Sequence, residues 1–257
     1  MIDIHSHILP QIDDGARFLE ESMQMAKQAV SQGITHIVAT PHHRTSKFFN
    51  HKTTVLHEVE QLNLALNNAN IPLTVLPGQE IRLFGEMEEK LAEEELLTVN
   101  DTGTFILVEL PSTHVPAYSK QLFYNLMLQD IYPIVVHPER NQEILTRPDI
   151  LYDLVNMGVY TQLTAGSVTG QFGRKIKKFC MQLLENNQAH FIASDAHNIR
   201  ERACHMQAAY SVVKQAWGEQ LTHTLQQHAL HAIQGTFIHK DQPQKIKQNF
   251  FQLLWRA

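Results

Sequence analysis

Cysteine is nearly absent: Cys180 and Cys204 are the only two in 257 residues, with no CxxC pair and no disulfide-framework spacing. Neither has an arginine six positions on, so the C-x5-R loop of cysteine-phosphoenzyme chemistry is excluded, and a reducing compartment is expected. No secretory leader is expected either, because Met1 runs straight into Ile2-Asp3-Ile4 with no charged segment and apolar stretch ahead of it. No run approaches the roughly 18 apolar residues of a membrane helix. A cytoplasmic protein is the expectation. No Gly-rich phosphate loop follows the first strand-like run, which removes the usual signature of a nucleotide-binding doubly wound sheet. Positive charge is not in excess either: 21 Lys and Arg against 26 Asp and Glu leave a formal charge of -5. No nucleic-acid partner held by phosphate attraction is expected from that balance.

What the chain has is histidine, sixteen of them, and a 43% hydrophobic content large enough for one sizeable core. Residues of metal-ligand type recur just past short apolar runs. Ile2-Asp3-Ile4-His5-Ser6-His7 opens the chain and Ala39-Thr40-Pro41-His42-His43 follows a second run. His137-Pro138-Glu139-Arg140 and Ser194-Asp195-Ala196-His197 follow two later ones. A parallel barrel presents strand-end residues to one mouth in this way, so the pattern predicts a multi-metal hydrolytic centre.

Strand-like runs are predicted at Ile2 to Ile4, His36 to Ala39, Leu73 to Leu76, Phe105 to Val108, Ile134 to Val136, Val159 to Leu163 and Phe191 to Ala193. Helical stripes separate them, among them Leu19, Met23, Ala26 and Val30 before Gly33, and Val55, Val59, Leu62 and Leu66. Further helices are predicted near Ala117 to Gln129, Asp149 to Met157, Arg174 to Glu185, Glu201 to Trp217 and Leu221 to Ile233. Seven strand–helix units predict an α/β fold built as a barrel, with an open doubly wound sheet as the alternative.

His5 and His7 flank Ser6, so in an extended chain both face one side and can grip one metal together. The same alternation sends His42 and His43 opposite ways: one ligates and the other lines the rim or backs the site. Asp13 and Asp14 cannot be ranked by spacing, and one of them is a turn or cap carboxylate before Gly15.

The chain resembles the polymerase-and-histidinol-phosphatase (PHP) superfamily, and within it the manganese-dependent protein-tyrosine phosphatases of Gram-positive capsule and exopolysaccharide operons, the CpsB/YwqE type. The resemblance rests on Asp3-Ile4-His5-Ser6-His7, Asp13-Asp14-Gly15, Pro41-His42-His43, Gly78-Gln79-Glu80-Ile81-Arg82, His137-Pro138-Glu139-Arg140-Asn141 and Ser194-Asp195-Ala196-His197-Asn198. It implies a distorted seven-stranded (βα)7 TIM-like barrel, the PHP fold, holding three divalent metal ions. His5, His7, Glu80 and Asp195 are implied for one ion; Glu80 bridges to a second held also by Glu109 and His137; Asp14, with Asp13 as its rival, joins His42 and His197 on the third. Nitrogen and oxygen ligands without thiolate suit manganese, with iron or zinc as alternatives.

The implied activity is hydrolysis of phosphotyrosine by a metal-activated hydroxide. It would oppose a membrane-associated bacterial tyrosine kinase that controls polysaccharide export. Arg140 and Arg202 are expected to clamp phosphoryl oxygens, the plain alternative being surface ion pairs. A phenol leaving group, with a pKa of about 10, needs little protonation; His43 and His114 are the rim candidates if a general acid exists. The alternatives are another phosphoesterase of the superfamily, such as a histidinol-phosphate phosphatase or a nuclease, and a non-catalytic metal-loaded regulatory subunit.

The basic run Arg174, Lys175, Lys177 and Lys178 reads as a solvated helix face that, at a site mouth, would attract an acidic phosphopeptide. His57, His190, His223, His228, His231 and His239 read as surface or packing residues. Residues 1–240 read as one domain. Residues 241–257 form an amphipathic basic tail, with Lys245, Lys247 and Arg256 among Phe250, Phe251, Leu253, Leu254 and Trp255, suited to packing on the fold or to peripheral membrane contact.

Overall fold

A computed structural model describes residues 1–247. Its strands are β1 (Ile2–Ser6), β2 (His36–Ala39), β3 (His42–His43), β4 (Thr74–Pro77), β5 (Glu80–Arg82), β6 (Phe105–Glu109), β7 (Tyr132–Val136), β8 (Tyr160–Thr164) and β9 (Phe191–Ala193). The helices are α1 (Leu19–Ser31), α2 (Lys52–Asn68), α3 (Met87–Ala92), α4 (Ser119–Met127), α5 (Gln142–Thr146), α6 (Asp149–Met157), α7 (Ala165–Thr169), α8 (Arg174–Glu185) and α9 (Met206–Gln234). All strand pairings are parallel, which requires the crossover helices between them.

The α/β expectation holds, but the strands do not form one closed seven-membered ladder. They make a three-stranded sheet, β1-β2-β4, and a six-stranded sheet, β3-β5-β6-β7-β8-β9. The short strands β3 and β5 lie beyond the seven predicted ones. Pro41 has no N–H to continue the ladder from β2 into β3, and Gly78 separates β4 from β5 where an added Cβ would lie 2.7 Å from Val38 Cγ1. Between β1 and the segment after β9 there is a single bridge, Ser6 with Ala196.

Alternation along the strands builds two apolar layers. Phe105 and Leu107 of β6, Ile134 and Val136 of β7, and Phe191 and Ala193 of β9 belong to an interior cluster with Ala229, Ala232 and Ile233 of α9. Ile106, Val108, Val135 and Ile192 face the other way, into the layer shared with the helices. The two helices predicted at the C-terminal end are one element interrupted at Gly218, whose φ of 81° is left-handed and non-helical; it starts at Met206, not Glu201.

Of the predicted tail, residues 248–257 lie outside the described residues, so its aromatic part, Phe250 to Trp255, does too. The described part packs down: Gln244 N donates to Asn186 O at 2.9 Å, Lys245 Nζ stands 5.2 Å from the Tyr152 ring centre, and Ile246 joins the main core. No helix among the described residues is long and apolar enough to cross a membrane.

Candidate metal centre

Ends of strands and the turns after them bring the expected ligands together. The β1–β2 register slips between Asp3 and Ser6, a bulge that lets His5 aim into the site although its neighbour Ile4 belongs to the interior cluster. His5 and His7 are buried, with their Nε2 atoms 3.3 Å apart. The other nitrogen of each ring is anchored: His5 Nδ1 lies 2.9 Å from Gln162 Oε1, and His7 Nδ1 lies 2.6 Å from Asp13 Oδ2. Such partners hold the Nδ1–H and leave each Nε2 lone pair free for a metal.

Glu80 begins β5, fully buried, at the centre of the group. Its Oε2 stands 3.4 Å from His5 Nε2, 3.3 Å from His7 Nε2 and 2.8 Å from His42 Nδ1, and its Oε1 stands 2.7 Å from His137 Nε2. His137 reaches it through a left-handed backbone, φ 37°, immediately after β7. Asp195, also left-handed at φ 51°, places Oδ1 3.7 Å from His5 Nε2 and 3.5 Å from His7 Nε2. Two non-glycine residues in this sparsely populated region mark a site held by its surroundings.

The neighbouring aspartates separate cleanly. Asp13 accepts from Gly15 N at 2.9 Å and His42 N at 3.1 Å besides facing His7, so it orients other groups. Asp14 is half exposed and turns Oδ1 to 3.4 Å from both His42 Nε2 and His197 Nε2. His42 therefore joins the cluster, whereas His43 is buried with Nδ1 2.6 Å from Asn50 O and is no rim residue. His114 is exposed, its Nδ1 engaged with Thr113 Oγ1 at 3.0 Å.

Ligand-type atoms form three overlapping groups among the described residues: His7, Asp14, His42 and His197; His5, His7 and Glu80; His42, Glu80 and Glu109. The sharing is wider than expected, since His7 and His42 as well as Glu80 each belong to two groups. These residues fit divalent cations on a direct observation. His42 Nδ1, Glu80 Oε2 and His197 Nε2 are buried without a hydrogen-bond partner, although opposite groups lie within 4 Å of each. Leaving such atoms unsatisfied costs about 1–3 kcal/mol apiece, which coordination to a cation would remove.

Charge tells the same story. Burial and the adjacent Glu80 push the Glu109 carboxyl up to about 7, a sign of negative charge short of compensation. Burial lowers His137 and His197 to about 4, so both are neutral near pH 7, the form that ligates. Burial also opposes charge on His7, yet Asp13, Asp195 and Glu80 outweigh it and raise that imidazole well above its ordinary value.

Beside the cluster opens a cavity of about 270 Å³ whose polar wall includes Glu80, Glu109, His137, Asp195, Arg140 and Arg202. Leu110, Val136 and Pro138 supply an apolar wall. Both arginines close on one carboxylate: Arg140 Nη2 donates to Asp195 Oδ2, and Arg202 Nη2 donates to Asp195 Oδ1 at 3.1 Å. Arg140 Nε is left without a partner, and the guanidinium lies 5.2 Å from the Phe172 ring centre.

Three supporting residues carry roles that the sequence does not assign them. Gln162 is a buried amide inside β8, and an amide at the centre of a predicted strand was the available signal. Arg82 pairs with Glu109 Oε2 at 2.9 Å. Asp3, fully buried, accepts from Ser194 N at 2.9 Å and ties β1 to the turn that carries Asp195.

Residues 1–233 match the family model described as capsular polysaccharide synthesis, CpsB/CapC. The chain is 46% identical to the tyrosine-protein phosphatase YwqE of Bacillus subtilis over 96% of its own length and 97% of that protein's. It is 32% identical to the tyrosine-protein phosphatase CpsB of Streptococcus agalactiae over 88% and 94%. A solved structure from the work on YwqE of Bacillus subtilis and CpsB of Streptococcus pneumoniae, described as unique metal-dependent tyrosine phosphatases, superposes with a TM-score of 0.94 at 46% identity, covering 96% of this chain and all of that one. With its cluster of buried imidazoles and carboxylates and a family match over nearly its whole length, the chain belongs to the CpsB/CapC family of capsular polysaccharide synthesis proteins.

Proposed function

We propose that the protein is a metal-dependent protein-tyrosine phosphatase. The single observation that carries this reading is the convergence of nine ligand-type side chains beside a cavity with both an arginine wall and an apolar wall. The relatives' activity and the described metal dependence of the solved structure support it.

His5, His7, Asp14, His42, Glu80, Glu109, His137, Asp195 and His197 would hold three divalent ions, manganese by our choice. When bound, these ions supply Lewis-acid charge and lower the pKa of water to the point of nucleophilicity near neutral pH. Gln162 and Asp13 fix the imidazoles of His5 and His7, so that the ligand set is preorganised. Arg140 Nε and the outer face of Arg202 offer N–H donors to phosphoryl oxygens, while Asp195 keeps both guanidinia in place. Leu110, Val136 and Pro138 give a phenyl ring an apolar wall to rest against. A phenol leaving group, with a pKa of about 10, needs less protonation than an alkoxide would. Neither cysteine takes part: both are buried, and burial pushes Cys204 up to about 12 and Cys180 higher still.

The two parallel sheets are read as a distorted seven-unit barrel of the PHP type, residues 1–240, with residues 241–257 appended. The protein is placed in the cytoplasm, where its substrate would be a membrane-associated tyrosine kinase of the capsule or exopolysaccharide pathway. A panel of phosphotyrosine peptide, histidinol phosphate and an oligonucleotide, each with manganese, tests the reading. Preferential hydrolysis of the peptide is expected; preference for either of the others would replace it.

A further inference from the structure

Phe172, whose ring packs on the cavity-lining Arg140, is followed after Gly173 by the start of α8, where four of the first five residues are basic. Phe179, Cys180, Leu183 and Leu184 bury one side of α8, leaving Arg174, Lys175 and Lys178 exposed. Lys177 is half-buried, with its ammonium directed at Thr169 O. Among the described residues, Arg174, Lys175 and Lys178 make no ion pair and no side-chain hydrogen bond. Several other surface cations pair with acids, among them Lys52 with Asp101, Lys90 with Glu93 and Glu95, Arg147 with Glu143, and Lys214 with Glu219, and those without an acid, such as Lys27, Lys47, Lys120 and Arg200, are scattered along the chain and not gathered on one helix turn.

The basic patch works against its own helix. Like charges three and four residues apart repel, and cations at the first turn face the positive end of the helix dipole, with no acidic residue there to offset them. An arrangement that weakens the helix locally, two residues past the Phe172 that packs on cavity-lining Arg140, suits an anionic partner bound near the site. We propose that Arg174, Lys175 and Lys178 form a docking surface for acidic residues flanking the phosphotyrosine of the protein substrate. This deepens the phosphatase reading and rests on it. Rim charges of this kind act on encounter and on KM, and are screened by salt.

The test compares the full-length enzyme with its Arg174→Gln/Lys175→Gln/Lys178→Gln variant on two phosphotyrosine peptides, one flanked by glutamates and one by glutamines, across ionic strength. For the acidic peptide, kcat/KM should fall roughly tenfold at low salt, through KM, and lose most of its salt dependence. The neutral-flanked peptide should be hydrolysed as before. Equal effects on both peptides, or no effect on either, would overturn the proposal. So would unchanged peptide kinetics with lost sedimentation on anionic phospholipid vesicles, which would give the patch to a membrane surface. A wild-type enzyme inert towards both peptides would instead remove the phosphotyrosine reading, and this surface with it.

Discussion

At the scale of the residue, the two adjacent aspartates carry the sharpest consequence. Asp14 faces His42 and His197, whereas Asp13 holds His7 by its Nδ1. Asp14→Ala is expected to lower metal content at saturating manganese. Asp13→Ala should retain full content there but need about 10- to 100-fold more metal to reach it, the usual effect of losing an orienting partner. Metal titration of both variants checks this, and the reverse order of effects would contradict it. Ligand types at strand ends were legible in the sequence because chemistry is local. The division of labour between Asp13 and Asp14 was not, since it depends on His7 and His42, which reach that turn from other segments. Gln162 was missed for the same reason: its side chain acts on a ring 157 positions away.

Protonation gives a second expectation at this scale. In the metal-free protein, burial disfavours charge on His7 but Asp13, Asp195 and Glu80 raise its pKa well above 6.5. A raised histidine contributes stability that is fully present below its unfolded pKa and lost as pH rises through the folded one. Glu109, raised to about 7 by burial and Glu80, acts in the same direction up to neutrality. The melting temperature of metal-free protein should therefore fall as pH climbs from about 6.5 toward 9. With manganese bound, the trend should reverse, because a ligating imidazole must be deprotonated and the ion competes with protons. Melting curves across that window, with and without metal, decide it; a metal-free protein that gains stability above pH 6.5 would be the contrary result.

At the scale of the element, the turn after β1 is the most demanding. A Cβ at Gly15 would lie 2.1 Å from His7 O and 2.6 Å from His7 Cβ, so any side chain there must push away the turn bearing Asp13 and Asp14. Gly15→Ala should lower the melting temperature and metal content together, with an overpacking cost of about 1–3 kcal/mol. Gly85→Ala, where nothing lies within 4 Å, serves as the silent comparison. Thermal melts with metal analysis read both, and a silent Gly15→Ala would contradict the packing described. Strands and the longer helices were readable from periodicity, and α6 and α8 begin and end where the pattern places them. The short strands β3 and β5, which follow Pro41 and Gly78, were not. Each is two or three residues long and made mostly of polar and charged side chains, His42-His43 and Glu80-Ile81-Arg82, so no apolar alternation announces it.

At the scale of the whole molecule, distant segments meet because parallel strands deliver their carboxyl ends to one side. Ligand-type residues from positions 5 to 197 converge there. Thiols stand apart, since both are buried and raised by burial, so Cys180→Ser and Cys204→Ser should each leave kcat within about twofold when assayed on phosphotyrosine peptide. The most direct measurement of the central claim is phosphate release from that peptide by one enzyme preparation before chelation, in excess chelator and after manganese is added back. The account predicts activity, then none, then recovery in step with metal bound; full hydrolysis in excess chelator would contradict it.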